Sequence, residues 1–189
     1  MSYNKAMRLF IAINLPQDVQ LKVAKLVDRI KPKFRTKANF VPAENWHLTL
    51  CFLGNQPENS LTGIKQAIQD TALNFSSPKI NFKEMNYGPE KHPYMVWLIG
   101  TEQTSKDLAK IKKYLENRLI EYGVRFRLDC RNFNAHLTLV RLPKYGKPNL
   151  PEIQTGTDIG FYGKSIDLMQ SNLDKNGAKY TRLMEFKFK

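Results

Sequence analysis

The chain has 189 residues, of which 42% are hydrophobic and 11% aromatic. That is enough to build the core of one compact domain or two small lobes, and it excludes wholesale disorder. Thirty Lys and Arg against seventeen Asp and Glu leave a net charge of +13, a long-range field that draws polyanions and says nothing about fold. The apolar runs are too short for a membrane span or a signal-peptide core. Cys51 and Cys130 form neither a metal-ligand spacing nor a disulfide framework. The expected setting is therefore cytoplasmic and reducing, with no membrane association and a monomeric chain.

Elements alternate along the chain. Arg8–Ile13 reads as a short apolar strand ended by Asn14 and Pro16. Val19, Val23, Leu26, Val27 and Ile30 recur at helical spacing over Gln17–Ile30, and Pro32 stops that helix. A second helix is expected over Ser60–Phe75 on Leu61, Ile64, Ile68 and Phe75. A third is expected over Ser105–Tyr122, with Leu108, Ile111, Leu115 and Leu119 on one face. Thr104 and Asp107 fit a capping box at its start, and Gly123 stands where a left-handed C-cap belongs. Strands are expected at Lys79–Tyr87, Tyr94–Gly100, Phe126–Cys130, Ile166–Asn172 and Leu183–Phe188, and Pro143 to Gly160 reads as a loop.

The two halves share an order. A strand (Arg8–Ile13) and a helix precede His47-Leu48-Thr49-Leu50; a strand (Tyr94–Gly100) and a helix precede His136-Leu137-Thr138-Leu139. The chain holds three histidines, and two of them open the same tetrapeptide. On an alternating strand His47 and Thr49 share one face while Leu48, Leu50 and Phe52 share the other. The same rule pairs His136 with Thr138 and puts Arg141 on the opposite face. Two such strands facing one cleft would offer two imidazoles and two hydroxyls to a small volume.

Hydrolysis of a phosphodiester uses that set. One imidazole takes a proton from water, the other gives one to the leaving oxygen, and hydroxyls stabilise charge on the phosphate. A lone His-x-Thr in a strand is ordinarily structural, but two identical copies in a histidine-poor chain favour chemistry. Metal binding competes poorly. Glu44 precedes His47 by three residues without a counterpart before His136, and Cys51, which could share the His47 face, is matched by Val140. No Gly-x-Ser-x-Gly elbow, P-loop or Gly-x-Gly-x-x-Gly is present.

These residues resemble the two-histidine phosphoesterase superfamily, and within it the RNA 2′,3′-cyclic phosphodiesterases once named 2′-5′ RNA ligases. The resemblance runs nearly end to end. It covers Arg8 to Pro16, Asn45 to Gly54, Phe133 to Arg141, Leu168 to Leu173 and Gly177 to Tyr180. Ala135 stands where the family usually has proline, and Cys51 where lysine is common. The resemblance implies an α+β fold with two lobes. Each lobe is an antiparallel sheet with outer helices, and a pseudo-twofold repeat leaves the active-site cleft between the lobes, all within one domain over 1–189.

It also implies metal-free opening of an RNA or nucleotide 2′,3′-cyclic phosphate to a 2′-phosphomonoester, with no cofactor and with 2′-5′ ligation as the reverse reaction. His47 would be the proton donor and His136 the proton acceptor. Thr49 and Thr138 would hold phosphate oxygens, and Arg141 would bind phosphate if the strand bends before it. A related exonucleolytic or cyclic-nucleotide phosphodiesterase, and a non-catalytic module for RNA ends, are the competing functions. Lys31, Lys33, Arg35 and Lys37, then Lys144 and Lys147, form basic clusters suited to an RNA backbone. Arg125, Arg127 and Arg131 are candidates to line the cleft. Trp46, Phe133 and Tyr180 suit base stacking or core packing, and His92 reads as a surface turn residue.

Overall fold

The computed structural model describes residues 6–34, 38–143, 150–174 and 177–189. The expected basic residues Arg35, Lys37, Lys144 and Lys147 lie outside them. The described chain begins with strand β1 (Met7–Asn14), helix α1 (Gln17–Ile30), β2 (Asn39–Phe40), β3 (His47–Gln56) and α2 (Leu61–Asn74). It continues with β4 (Lys79–Gly88), β5 (Met95–Gly100), α3 (Glu102–Glu121) and β6 (His136–Arg141). It ends with β7 (Thr155–Gly156), β8 (Gly160–Tyr162), β9 (Ser165–Asp174) and β10 (Gly177–Lys187).

The strands form two antiparallel sheets, the α+β arrangement expected. One has the order β10-β9-β1-β3; the other runs β2-β6-β5-β4-β7, with β8 paired to β4. Each histidine strand is hydrogen-bonded to the strand that precedes its helix: β3 to β1 and β6 to β5. β3 is the edge of its sheet and touches β6 of the other, so the two histidine strands meet where the sheets approach.

Helices cover the faces that carry the apolar side chains. The α1 stripe Val19, Val23, Leu26, Val27 and Ile30 is buried, each side chain contributing about 1.5–3 kcal/mol by leaving water. α2 packs on β9 and β10, and α3 on β3, β4 and β5. One continuous core joins Leu48 and Leu50 of β3 with Leu137 and Leu139 of β6 and with the buried faces of all three helices. No helix among the described residues is long and apolar enough to cross a membrane.

Two expectations fail. α3 starts earlier than its capping box suggested, because Thr101 is the cap and its Oγ1 accepts from Thr104 N–H at 3.2 Å. Thr104 is buried inside the first turn, where its hydroxyl takes the Asn81 N–H at 2.9 Å, and Asp107 pairs with Lys110 instead. At the other end Gly123 adopts φ +72°, and the Val124 and Gly123 N–H groups return to Leu119 and Ile120, the glycine cap expected. The second failure is Phe126–Cys130, which is not a strand. Those residues pair with neither sheet, and β6 itself is joined to β5 and, at Val140 and Arg141, to β2. The Arg125 carbonyl accepts from Gln56 instead. Within the expected loop from Pro143 to Gly160, Thr155 and Gly156 pair with β4.

Candidate active site

Both histidines are placed by one local device. The His47 Nδ1–H donates to the Asn45 carbonyl at 2.7 Å, and the His136 Nδ1–H donates to the Asn134 carbonyl at 2.7 Å. A carbonyl can only accept, so each bond fixes the proton on Nδ1 and leaves Nε2 for chemistry. At His47, Nε2 accepts from the Thr49 hydroxyl at 3.1 Å. The Asn45 side chain donates to the Ala178 carbonyl at 2.9 Å, tying the turn before His47 to β10.

The faces depart from simple alternation, for one reason in both strands. The β1–β3 register skips Leu50 between Ile11↔Cys51 and Ala12↔Thr49; the β5–β6 register skips Leu139 between Val96↔Val140 and Trp97↔Thr138. Each motif therefore carries a β-bulge at its fourth residue, and side chains beyond it change faces. Leu50 and Cys51 are consecutively buried, as are Leu139 and Val140. Cys51 consequently faces the core rather than His47, and burial pushes its thiol pKa up to about 12. Phe52, expected inward, is 67% exposed and faces Phe10, whose ring also lies against His47. Arg141, which alternation set on the opposite face, is brought to the side of His136 and Thr138. Its charge acts on His47.

Burial pulls the His47 pKa down from 6.5 to about 4; the Arg141 and His136 charges push the same way, while the Asn45 carbonyl opposes. Burial also lowers the His136 pKa, opposed by the Asn134 carbonyl and reinforced by Arg131. Thus Arg131, although paired with Asp129, is the one of the three expected cleft arginines whose charge reaches a histidine. Arg125 and Arg127 are exposed on the irregular segment.

Aromatic rings wall both imidazoles. Phe10 and Tyr180 stand 4.8 and 5.1 Å from His47 by ring centroids, and Trp97 stands 4.3 Å from His136. Tyr180 is therefore at the site, whereas Trp46 is buried and Phe133 packs against the core. His92 is exposed in a turn, as expected. Among the described residues no three His, Cys, Asp or Glu side chains gather as metal ligands. Phe10, Trp97 and Asn14, the cross-strand partner of His47, were not singled out from sequence. Phe10 and Trp97 merge into apolar strands, and Asn14 reads only as a strand end.

A family model described as LigT-like phosphoesterase matches residues 13–97 and 99–180. An RNA 2′,3′-cyclic phosphodiesterase of Archaeoglobus fulgidus is 30% identical over 185 residues, covering 95% of this chain and 99% of the relative. One of Thermotoga maritima is 28% identical over 185 residues, covering 96% of each. Among solved structures, TT0787 of Thermus thermophilus superposes with a TM-score of 0.78 at 27% identity, over 96% of this chain and 98% of that one. E. coli LigT in apo form shares the fold, with a TM-score of 0.73 at 22% identity over 97% and 98%.

Proposed function

This chain belongs to the LigT-like phosphoesterase family and is an RNA 2′,3′-cyclic phosphodiesterase; we propose that it opens the cyclic phosphate to a 2′-phosphomonoester by metal-free acid–base catalysis between His47 and His136. The observation that carries this mechanism is the doubled anchoring. Two imidazoles, each with Nδ1 tied to a carbonyl two residues upstream, keep Nε2 available. The whole chain, 1–189, acts as one domain whose two lobes each supply one half of the site.

His136 Nε2 takes a proton from water as the water attacks phosphorus. The bond to O3′ breaks, and His47 gives that oxygen a proton. Thr49, Thr138 and Arg141 donate to the non-bridging oxygens, where charge builds. In the free protein His47 is neutral near pH 7, since its pKa lies at about 4. Burial is the main cause that holds this pKa down and the Arg141 charge adds to it; the anionic substrate offsets the Arg141 charge, so binding favours the protonated acid. Protonation turns Nε2 from acceptor to donor, which releases the Thr49 hydroxyl toward phosphate. Run backward, with a 5′-hydroxyl in place of water, the same groups with roles exchanged form a 2′-5′ linkage.

The support for metal independence is the direction of Cys51 and the lack of a third ligand beside either histidine among the described residues. The test is turnover of a nucleoside 2′,3′-cyclic phosphate in excess chelator with the product isomer identified. Nucleoside 2′-phosphate at an undiminished rate is expected. Loss of turnover restored by a divalent ion would overturn the metal-free step, and a 3′-phosphate product would overturn the choice of leaving oxygen. Binding without turnover would leave a module for RNA ends.

A further inference from the structure

We propose that Asn14 is a further substrate-binding residue, aimed by the buried carboxylate of Asp167 so that its side-chain oxygen takes the ribose hydroxyl set free when the cyclic phosphate opens. The assignment rests on the reading above, with His47 on the side of the leaving oxygen.

Asn14 closes β1 and is the cross-strand partner of His47. Such neighbours hold their Cβ atoms about 4.5–5.5 Å apart on one face. On the same face of the sheet, Phe10, Ala12 and Met169 form a small buried apolar cluster. Into these surroundings the chain places Asp167, paired with Ala12 across β9 and β1 and with no exposed surface. Burying a carboxylate among apolar groups is costly unless it is bonded to something that uses it. Burial accordingly raises the Asp167 pKa, opposed by Asn14, Ser165 and Arg182. Its close partner is Asn14, whose Nδ2 donates to Asp167 Oδ2 at 2.5 Å and also stands 3.4 Å from Met169 Sδ. Arg182 approaches the same oxygen at 3.6 Å from the half-exposed side.

A carboxylate only accepts, so it admits one orientation of the facing amide: nitrogen toward Asp167, oxygen away from it. The Asn14 oxygen therefore points away from Asp167, and it accepts no hydrogen bond among the described residues. The strand bearing the other histidine has no counterpart, because the residue paired with His136 is Ile99. An aimed acceptor thus stands beside one imidazole of the two, the one that delivers a proton to the ribose. Before the ring opens, O3′ carries no proton and has nothing to donate. As His47 transfers its proton, O3′ becomes a donor, and the Asn14 oxygen gains a partner in the late transition state and product. Such an interaction raises turnover more than substrate affinity.

The experiment compares binding of adenosine 2′-monophosphate with 3′-deoxyadenosine 2′-monophosphate, alongside kcat and KM for adenosine 2′,3′-cyclic phosphate. The wild-type chain is expected to prefer the 3′-hydroxyl compound by roughly fivefold to tenfold, the worth of one hydrogen bond. Asn14→Ala should bring that ratio to about one without weakening the deoxy compound, and should lower kcat by a similar factor at nearly constant KM. Asp167→Asn, whose amide no longer enforces one orientation, should reduce the ratio partway. If that buried variant does not fold, Asn14→Ala, at a partly buried position, decides alone. A wild-type ratio of one overturns the proposal. So does an Asn14→Ala chain that keeps the wild-type ratio while losing kcat, which would make Asn14 a support for His47. Wild-type turnover with an unmoved ratio removes this inference alone, whereas absence of all turnover removes the reading beneath it.

Discussion

The strands β3 and β6 carry the same four letters, the same imidazole anchor and the same bulge, yet they build unlike surroundings. Beyond the bulge β3 presents Phe52 and β6 presents Arg141. Beside the histidine β1 supplies Asn14, while β5 supplies Ile99. His47 sits against Phe10 and Tyr180 and holds Thr49; His136 sits against Trp97. The lesson is that a repeated backbone device delivers two equivalent nitrogens, and the neighbouring strands give them unlike surroundings. One half is apolar and amide-lined around His47; the other half brings the cation.

The sharpest way to break this comparison is to remove each imidazole. His47→Ala and His136→Ala should each cost about 10²–10⁴-fold in kcat for a nucleoside 2′,3′-cyclic phosphate. The double variant should be little worse than the worse single one, because the two act as a unit. Near wild-type turnover in either folded single variant would make that histidine structural and end the two-histidine mechanism.

A smaller effect separates the two residues that follow the bulges. Arg141→Ala should lower kcat/KM by about 10–100-fold, the scale of a hydrogen bond to a charged group. It should also let the His47 pKa rise from about 4, since the Arg141 charge helps hold it down. Phe52→Ala should leave that pKa in place. The imidazole proton resonances followed against pH distinguish these cases, and a downward move on losing Arg141 would put the arginine elsewhere.

The smallest expected effect is on stability. Folding lowers the His47 pKa from 6.5 to about 4, so between those values the folded chain binds fewer protons than the unfolded one. Stability is therefore full above pH 6.5 and falls as the pH drops toward 4. His136 contributes in the same direction. Urea unfolding of His47→Ala should show a shallower loss over this interval than the wild type. An equal slope would mean that His47 titrates near its ordinary value.

Much of this was legible in the amino-acid order. The α1 stripe from Val19 to Ile30 and the α3 stripe from Leu108 to Leu119 follow from the helical period, a property of each segment alone. The twin His-x-Thr motifs single out the two imidazoles and hydroxyls by repetition alone. What alternation misplaced were Cys51, Phe52 and Arg141. A bulge sets two residues against one on the neighbouring strand, so it belongs to the pair of strands and leaves no mark in either alone. The Phe126–Cys130 segment fails as a strand for a related reason: its pattern fits, but pairing needs a partner strand, and none takes it up. The Asn14–Asp167 contact joins residues separated by 153 positions, a distance at which local periodicity carries no information. Sequence thus determined which groups the chain owns and which segments fold. Strand pairing decided which face each group occupies, because hydrogen-bond register is a relation between distant segments.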